Sequence, residues 1–347
     1  MVTEKYRKAY LREFENDSNT HPRSKEQYLD YYLGFHEKYC INKPQEEQVE
    51  AWLKCIGLIN PASLCYKEAF SSDSPALLND SLYQNACILH TLICSASGAD
   101  HGINYRNALH ALSAGLADRV ALLLPFDCGM CANNHPVVVS ATNLLMALWY
   151  RNEEFAEAAR KKAGRTLGTK QPALNLSEIR YLLALLDGDP DEAGAQLDLY
   201  CRAVSRVQEF GATKLKKMFW PLAHGLYNLA FFVWDKEKAL SIPMPEPECF
   251  CKGFAQWQAA RAFAPGKLAI EYPAPMEIAN LILQVQLPKT HLHQPYLNMK
   301  EDLIAEGKDP SRYYIPGNEK QRCADGGRFR KEMIENVLKA MRQQQQA

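Results

Sequence analysis

The stretch ALLDGDPDEA at residues 184–193, with ALWYRNEEFA at 147–156 and AFFVWDKEKA at 230–239, predicts the fold of this chain. In each stretch an alanine is followed five residues later by Asn or Asp, and nine residues later by another alanine. Asn and Asp are favoured caps of helix N-termini, and small alanines on both sides of a polar turn allow two helices to approach closely. Each stretch therefore predicts a helical hairpin.

The rest of the chain also has helical patterning. Asn152, Asp189 and Asp235 are the predicted caps, and Asp189 is followed by Pro190 and two first-turn carboxylates, which is a strong start signal. Alternating β-branched runs of useful length are absent from the sequence. Helices are expected at 104–123, 137–150, 153–166, 176–187, 190–209, 219–234, 247–263, 275–286, 299–306 and 329–342.

The predicted fold class is all-α. The hairpins form an irregular array, either a tetratricopeptide-like α-solenoid or a bundle, without a substantial sheet, because their spacings of 37 and 46 residues differ from the fixed repeat of tetratricopeptide proteins. Residues 1–100 are interpreted as an N-terminal helical region that packs on the main body. Residues 101–288 form the helical-repeat domain, and 289–347 an irregular segment with a C-terminal helix.

Charge and composition exclude several classes of protein. Lys+Arg and Asp+Glu both number 40, so the basic excess typical of nucleic-acid binding is missing. The N-terminal stretch MVTEKYRKAYLREFEND is charged, and no apolar run is long enough to span a bilayer. The 11 cysteines lie mostly in apolar helical text, as free thiols do in a reducing compartment. We expect a soluble cytoplasmic protein with no membrane or nucleic-acid partner.

Catalytic motifs are also missing from the sequence. There is no GxSxG, HExxH, Walker-type or GxGxxG pattern, and the paired carboxylates are explained as first-turn helix residues. The best metal-like cluster is Cys128, Cys131 and His135, which lacks a fourth ligand at zinc-like spacing. Structural thiols are the favoured interpretation. The chain is predicted to be no enzyme and to need no cofactor.

A loop near the C-terminus has the composition of a protein interface. Arg312, Tyr313 and Tyr314 lie together in irregular sequence, and Arg and Tyr are enriched at binding hot spots. They are candidate partner-binding residues. A tail folded back on the scaffold is the alternative interpretation.

Several segments between residues 100 and 288 resemble a known family. RNALHALSAGLADRVALLLPFD, NLLMALWYRNEEFAEAA, LLALLDGDPDEAGAQLDLYC, FFVWDKEKAL and FCKGFAQWQAARA are together similar to the Immunity protein 49 family of bacterial polymorphic toxin and type VI secretion systems. The resemblance implies an α-helical cytoplasmic protein that binds a cognate effector toxin and blocks it in competition between bacteria. It implies no catalytic residues.

Polar residues within the resembling region are candidate toxin contacts or scaffold residues. Arg106, Asp127 and His224 are retained as candidate partner-binding residues. Asp118 and Arg180, which lie in predicted helices, are interpreted as scaffold. The toxin, its binding surface and the oligomeric state are left open.

Two other functions compete with this prediction. A tetratricopeptide-like adaptor or regulator would dock a peptide or helix of a protein partner in a groove. A metal-dependent hydrolase would use the cluster of Cys128, Cys131 and His135. An immunity gene should lie directly downstream of a large toxin gene, whereas an adaptor gene need not, and metal analysis tests the hydrolase.

Overall fold

The computed structural model describes residues 1–18, 22–95, 98–208, 213–309 and 317–346. The N-terminal part contains α1 (Glu4–Asn16), α2 (Lys25–Tyr39), α3 (Gln45–Cys55), α4 (Ala62–Ser71), α5 (Pro75–Thr91), α6 (Tyr105–Ser113) and α7 (Val120–Leu123). The predicted break near Gly115 lies between α6 and α7, where this glycine has a φ of 73°.

The three predicted hairpins follow. Their helices are α8 (Pro136–Tyr150) with α9 (Glu153–Leu167), α10 (Ala173–Asp187) with α11 (Pro190–Val204), and α13 (Pro221–Val233) with α14 (Lys236–Leu240). The short helix α12 (Lys214–Met218) lies between the second and third hairpins. Helix α8 packs along α9, and α10 packs along α11 and against α8. The all-α hairpin array is therefore confirmed.

Each predicted cap accepts a hydrogen bond at the start of its second helix. The Oδ1 atoms of Asn152, Asp189 and Asp235 accept the backbone N–H three residues later at 2.8, 3.0 and 2.9 Å. The third hairpin is shorter than the other two because α14 ends at Leu240. The residues beyond it are rich in proline, and proline lacks the N–H that a helix interior requires.

The C-terminal part is less regular. It contains α15 (Lys252–Ala260), α16 (Ile278–Gln284), α17 (Met299–Ala305), α18 (Gly326–Gln346) and the two-residue strands β1 (Leu292–His293) and β2 (Cys323–Ala324). The strands pair antiparallel. Helix α15 starts later than expected, because the N–H of Phe250 bonds the Pro247 carbonyl in a tight turn before it. Within the described ranges, no helix combines the length and apolar character that crossing a bilayer requires.

One hydrophobic core crosses the predicted region boundaries. It includes Trp52 of α3, whose ring lies 5.9 Å from that of Tyr272. Gln84 of α5 exchanges two hydrogen bonds with the backbone of Ile270, at 3.1 and 2.7 Å. Helix α18 packs on both α3 and α16. The first hundred residues and the last helix are thus held against the same core as the hairpins.

Candidate partner-binding cleft

An open cleft of about 650 Å³ lies where the hairpin array meets the N-terminal helix. One wall is the C-terminal end of α11, and a second is α12. The third is the chain from Glu246 to Cys249, which connects α14 to α15, and Tyr6 of α1 completes the lining. Four separate parts of the sequence therefore build this recess.

Hydrogen bonds between the walls fix the shape of the cleft. Asp198 of α11 accepts the backbone N–H of Glu246 at 2.8 Å and the Nε–H of Arg202 at 2.5 Å. The Tyr6 hydroxyl donates to the carbonyl of Met218 at 2.7 Å. The bonds between Asp198 and Glu246 and between Tyr6 and Met218 join elements that are distant in sequence. The recess therefore exists before any partner arrives, which lowers the entropic cost of binding.

Basic side chains outnumber acidic ones around the cleft. The charged lining residues are Arg202, Arg206, Lys214, Lys217, Glu246 and Glu248. Some are already paired, since Lys214 contacts Glu13 at 2.5 Å and Glu246 contacts Lys252 at 2.6 Å. Within the described ranges, Arg206 and Lys217 form no ion pair, so the cleft offers cationic groups to a partner.

Two cysteines form part of the cleft lining. The Cys249 thiol donates to the backbone carbonyl of Cys201 at 3.6 Å, and both side chains are largely buried. The pKa of Cys249 is lowered chiefly because the Cys201 thiol donates a hydrogen bond to its thiolate. The pKa of Cys201 is raised by the same interaction and by burial.

The predicted metal-like cluster serves the local structure. The Cys131 thiol donates to the buried Asp100 carboxylate at 2.9 Å, whereas Cys128 donates to the carbonyl of Thr290 at 3.7 Å. His135 caps α8 by accepting the N–H of Val137 at 3.4 Å. Burial raises the pKa of Cys128 to about 11 and that of Cys131 further. The described residues contain no group of three or more metal-ligating side chains.

The interpretation of His224 as a partner-binding residue is wrong for the folded protein. Its ring is fully buried and stacks on Phe250 with centroids 4.4 Å apart. Its Nε2 accepts the backbone N–H of Cys251 at 3.2 Å, and burial lowers its pKa to about 3. A neutral histidine inside the core cannot contact a partner.

Other predicted contacts do lie at the surface. Arg106 on α6 is exposed, and exposed Asp127 pairs with Lys289 at 2.6 Å. Asp118 and Arg180, interpreted as scaffold, are exposed as well. None of these residues lines the cleft.

The loop candidates Arg312, Tyr313 and Tyr314 lie outside the described residues. The sequence analysis did not predict the cleft. Its only local signal is the basic run KLKK at 214–217, which has no meaning until α11 and the connection before α15 are placed beside it.

Comparison of the chain with protein-family models, with curated proteins and with solved structures finds no match.

Proposed function

We propose that this chain is a binding protein of the immunity class, which neutralises a cognate secreted toxin in the cytoplasm by steric occlusion. The proposal rests on the cleft between α11, α12 and residues 246–249, a recess of about 650 Å³ whose walls are cross-linked by hydrogen bonds. The resemblance of residues 100–288 to the Immunity protein 49 family suggests that the partner is a cognate effector toxin.

The charges around the cleft suggest which part of the toxin enters it. Arg206 and Lys217 have no ion-pair partner among the described residues, and exposed Arg202 lies one turn from Arg206. Opposite charges across an interface accelerate encounter and fix the orientation of the partners. A toxin segment that carries carboxylates would pair with these cations and be covered by the surrounding helices.

A second function uses the same cleft. An adaptor would dock a short acidic peptide or helix of a housekeeping partner there, and the volume of about 650 Å³ suits several side chains. The two functions differ in the partner, so identification of the partner separates them.

The test is co-expression with the toxin whose gene an immunity function places directly upstream. Wild-type protein should restore growth and co-purify with the toxin. Reversing these two cleft charges, unpaired within the described ranges, with Arg206→Glu and Lys217→Glu should weaken toxin binding roughly tenfold or more, because attraction becomes repulsion. Growth protection should fall in parallel.

A matched control is available on α9. Lys161 and Arg165 are exposed and, like the cleft pair, comprise one lysine and one arginine, so Lys161→Glu with Arg165→Glu makes an equal charge change away from the cleft. This control should protect as well as the wild type. Equal protection by both variants would exclude the cleft as the interface, and failure of wild-type protein to bind the toxin would reject the immunity function.

A further inference from the structure

Cys201 and Cys249 lie in contact although they are distant in sequence. Cys201 is in α11 and Cys249 is in the connection before α15, and the Cys249 thiol is 3.6 Å from the carbonyl oxygen of Cys201. Both residues line the open cleft. A disulfide requires the two Cβ atoms to come within about 4 Å of each other. The Cys249 thiol contacts the backbone of Cys201, and the two thiols are close enough to share a hydrogen bond.

The pair differs from the remaining described thiols. The pKa of Cys249 is lowered, whereas burial raises the pKa of its near neighbour Cys251, which has no exposed surface. The other cysteines with a described side chain also have raised pKa values. Thiolate is the nucleophile in disulfide exchange, and Cys249 is 7% exposed whereas Cys201 is 2% exposed. Cys249 is therefore assigned as the attacking thiol of the pair.

We propose that Cys201 and Cys249 are a redox-active thiol pair, which a small anionic disulfide of the glutathione class converts into an intramolecular disulfide. The Cys249 thiolate attacks one sulfur of the small disulfide, which breaks its S–S bond and releases one thiolate. Cys201 then loses its proton and attacks the Cys249 sulfur, which displaces the second thiolate. The protein loses two electrons and two protons, and the small disulfide becomes two thiols.

The cleft explains how an oxidant reaches these largely buried sulfurs. Its volume of about 650 Å³ accommodates a short peptide disulfide. Arg202, Arg206 and Lys217 surround it, and cationic groups concentrate an anionic reagent at the site. The bond would tie the end of α11 to the connection that forms the third wall, and so fix the cleft covalently.

The direct test is to incubate the full-length reduced protein with glutathione disulfide, block the remaining thiols and map the peptides by mass spectrometry. We expect the Cys201–Cys249 disulfide to be the first product, with Cys251 blocked as a free thiol. Oxidation that starts at other cysteines, or no oxidation at this pair, would overturn the proposal.

Two single variants separate the steps. Cys201→Ser should stop at a mixed disulfide on Cys249, whereas Cys249→Ser should leave Cys201 unmodified. If Cys201 reacts equally well without Cys249, the assigned order of attack is wrong. Circular dichroism checks that both variants fold, and the mapping of wild-type protein decides the proposal if they do not.

The role of the cations has its own measurement. Combined Arg206→Ala and Lys217→Ala should slow oxidation by glutathione disulfide roughly tenfold and leave oxidation by the neutral hydroxyethyl disulfide unchanged. Equal slowing with both reagents would contradict electrostatic attraction. No toxin is present in these assays, so the thiol pair and the immunity function fail or succeed independently.

Discussion

At the scale of single residues, the turns of the first two hairpins share one set of backbone bonds. The N–H of Asn152 bonds the carbonyl of Ala147 at 3.3 Å, and the N–H of Asp189 bonds that of Ala184 at 3.0 Å. The residue before each cap is left-handed, Arg151 in one turn and Gly188 in the other. In each turn, the left-handed residue therefore ends the first helix of the hairpin, and the cap residue directly after it begins the second helix.

The cap at Asp189 gives a residue-scale prediction. Asp189→Ala removes the acceptor of the Glu192 N–H and should cost about 1 kcal/mol of unfolding free energy, measured by urea denaturation. Asp189→Asn should retain most of the stability, because its side-chain oxygen still accepts the bond. Asp191→Ala, in the same turn but not a cap, is the control, and an equal loss there would mean that charge and not capping is responsible.

At the scale of elements, the packing of α6 against α13 depends on one glycine. A Cβ atom at Gly225 of α13 would lie 2.2 Å from the carbonyl oxygen of Leu109 in α6. That distance is far inside van der Waals contact, and the obstacle is backbone, which cannot rotate away. The absence of a side chain at Gly225 allows the two helices to touch.

This contact predicts opposite effects for two glycine substitutions. Gly225→Ala should destabilise the protein by about 3 kcal/mol, because the helices must separate. Gly164→Ala in α9, where no atom lies within 4 Å of the new Cβ, should stabilise it by about 0.5–1 kcal/mol through helix propensity. Thermal and urea unfolding measure both changes. If Gly225→Ala leaves the stability unchanged, α6 and α13 are packed less tightly than the 2.2 Å distance between the new Cβ and the Leu109 carbonyl oxygen indicates.

At the scale of the whole molecule, polar side chains join distant helices inside the core. Gln258 of α15 donates to Asn79 of α5 at 3.0 Å and to the carbonyl of Ser113 at 2.8 Å, and it accepts from Asn228 of α13 at 3.1 Å. Buried amides of this kind are stabilising only when they are paired. The network therefore favours one arrangement of the helices over alternatives that an apolar core would tolerate.

Three histidines, the fully buried His90 and His224 and the largely buried His110, make the stability of the molecule depend on pH. Burial lowers the pKa of His90 and His224 to about 3 and that of His110 to about 4, from an ordinary 6.5. The unfolded chain binds these protons first, so their contribution to stability is fully present above pH 6.5 and is lost as the pH falls below it. Each histidine should remove about 1.4 kcal/mol per pH unit between about 6.5 and 4.

Urea unfolding at a series of pH values between 7.5 and 4.5 measures this slope. His224→Gln should reduce it by about one proton, even if the variant is less stable overall. His293→Gln changes an exposed histidine and should leave the slope as it is. A stability that does not vary with pH in this range would mean that the three rings are solvated.

Local patterns foretold the helices and their caps, because a cap acts within three residues and an apolar stripe within a few turns. The all-α hairpin array and the capping roles of Asn152, Asp189 and Asp235 follow from such short-range physics. The interior position of His224 does not follow from short-range physics. The local sequence around a single histidine in a helix is the same whether that face of the helix contacts solvent or another helix.

The cleft depends on contacts that no local pattern contains. Tyr6 meets Met218 across 212 residues, and Cys201 meets Cys249 across 48. Such neighbours are created by the way α1, α11, α12 and the connection before α15 pack together. The sequence alone determines which chemical groups the side chains carry. Tertiary packing determines which of those groups lie next to each other on a surface.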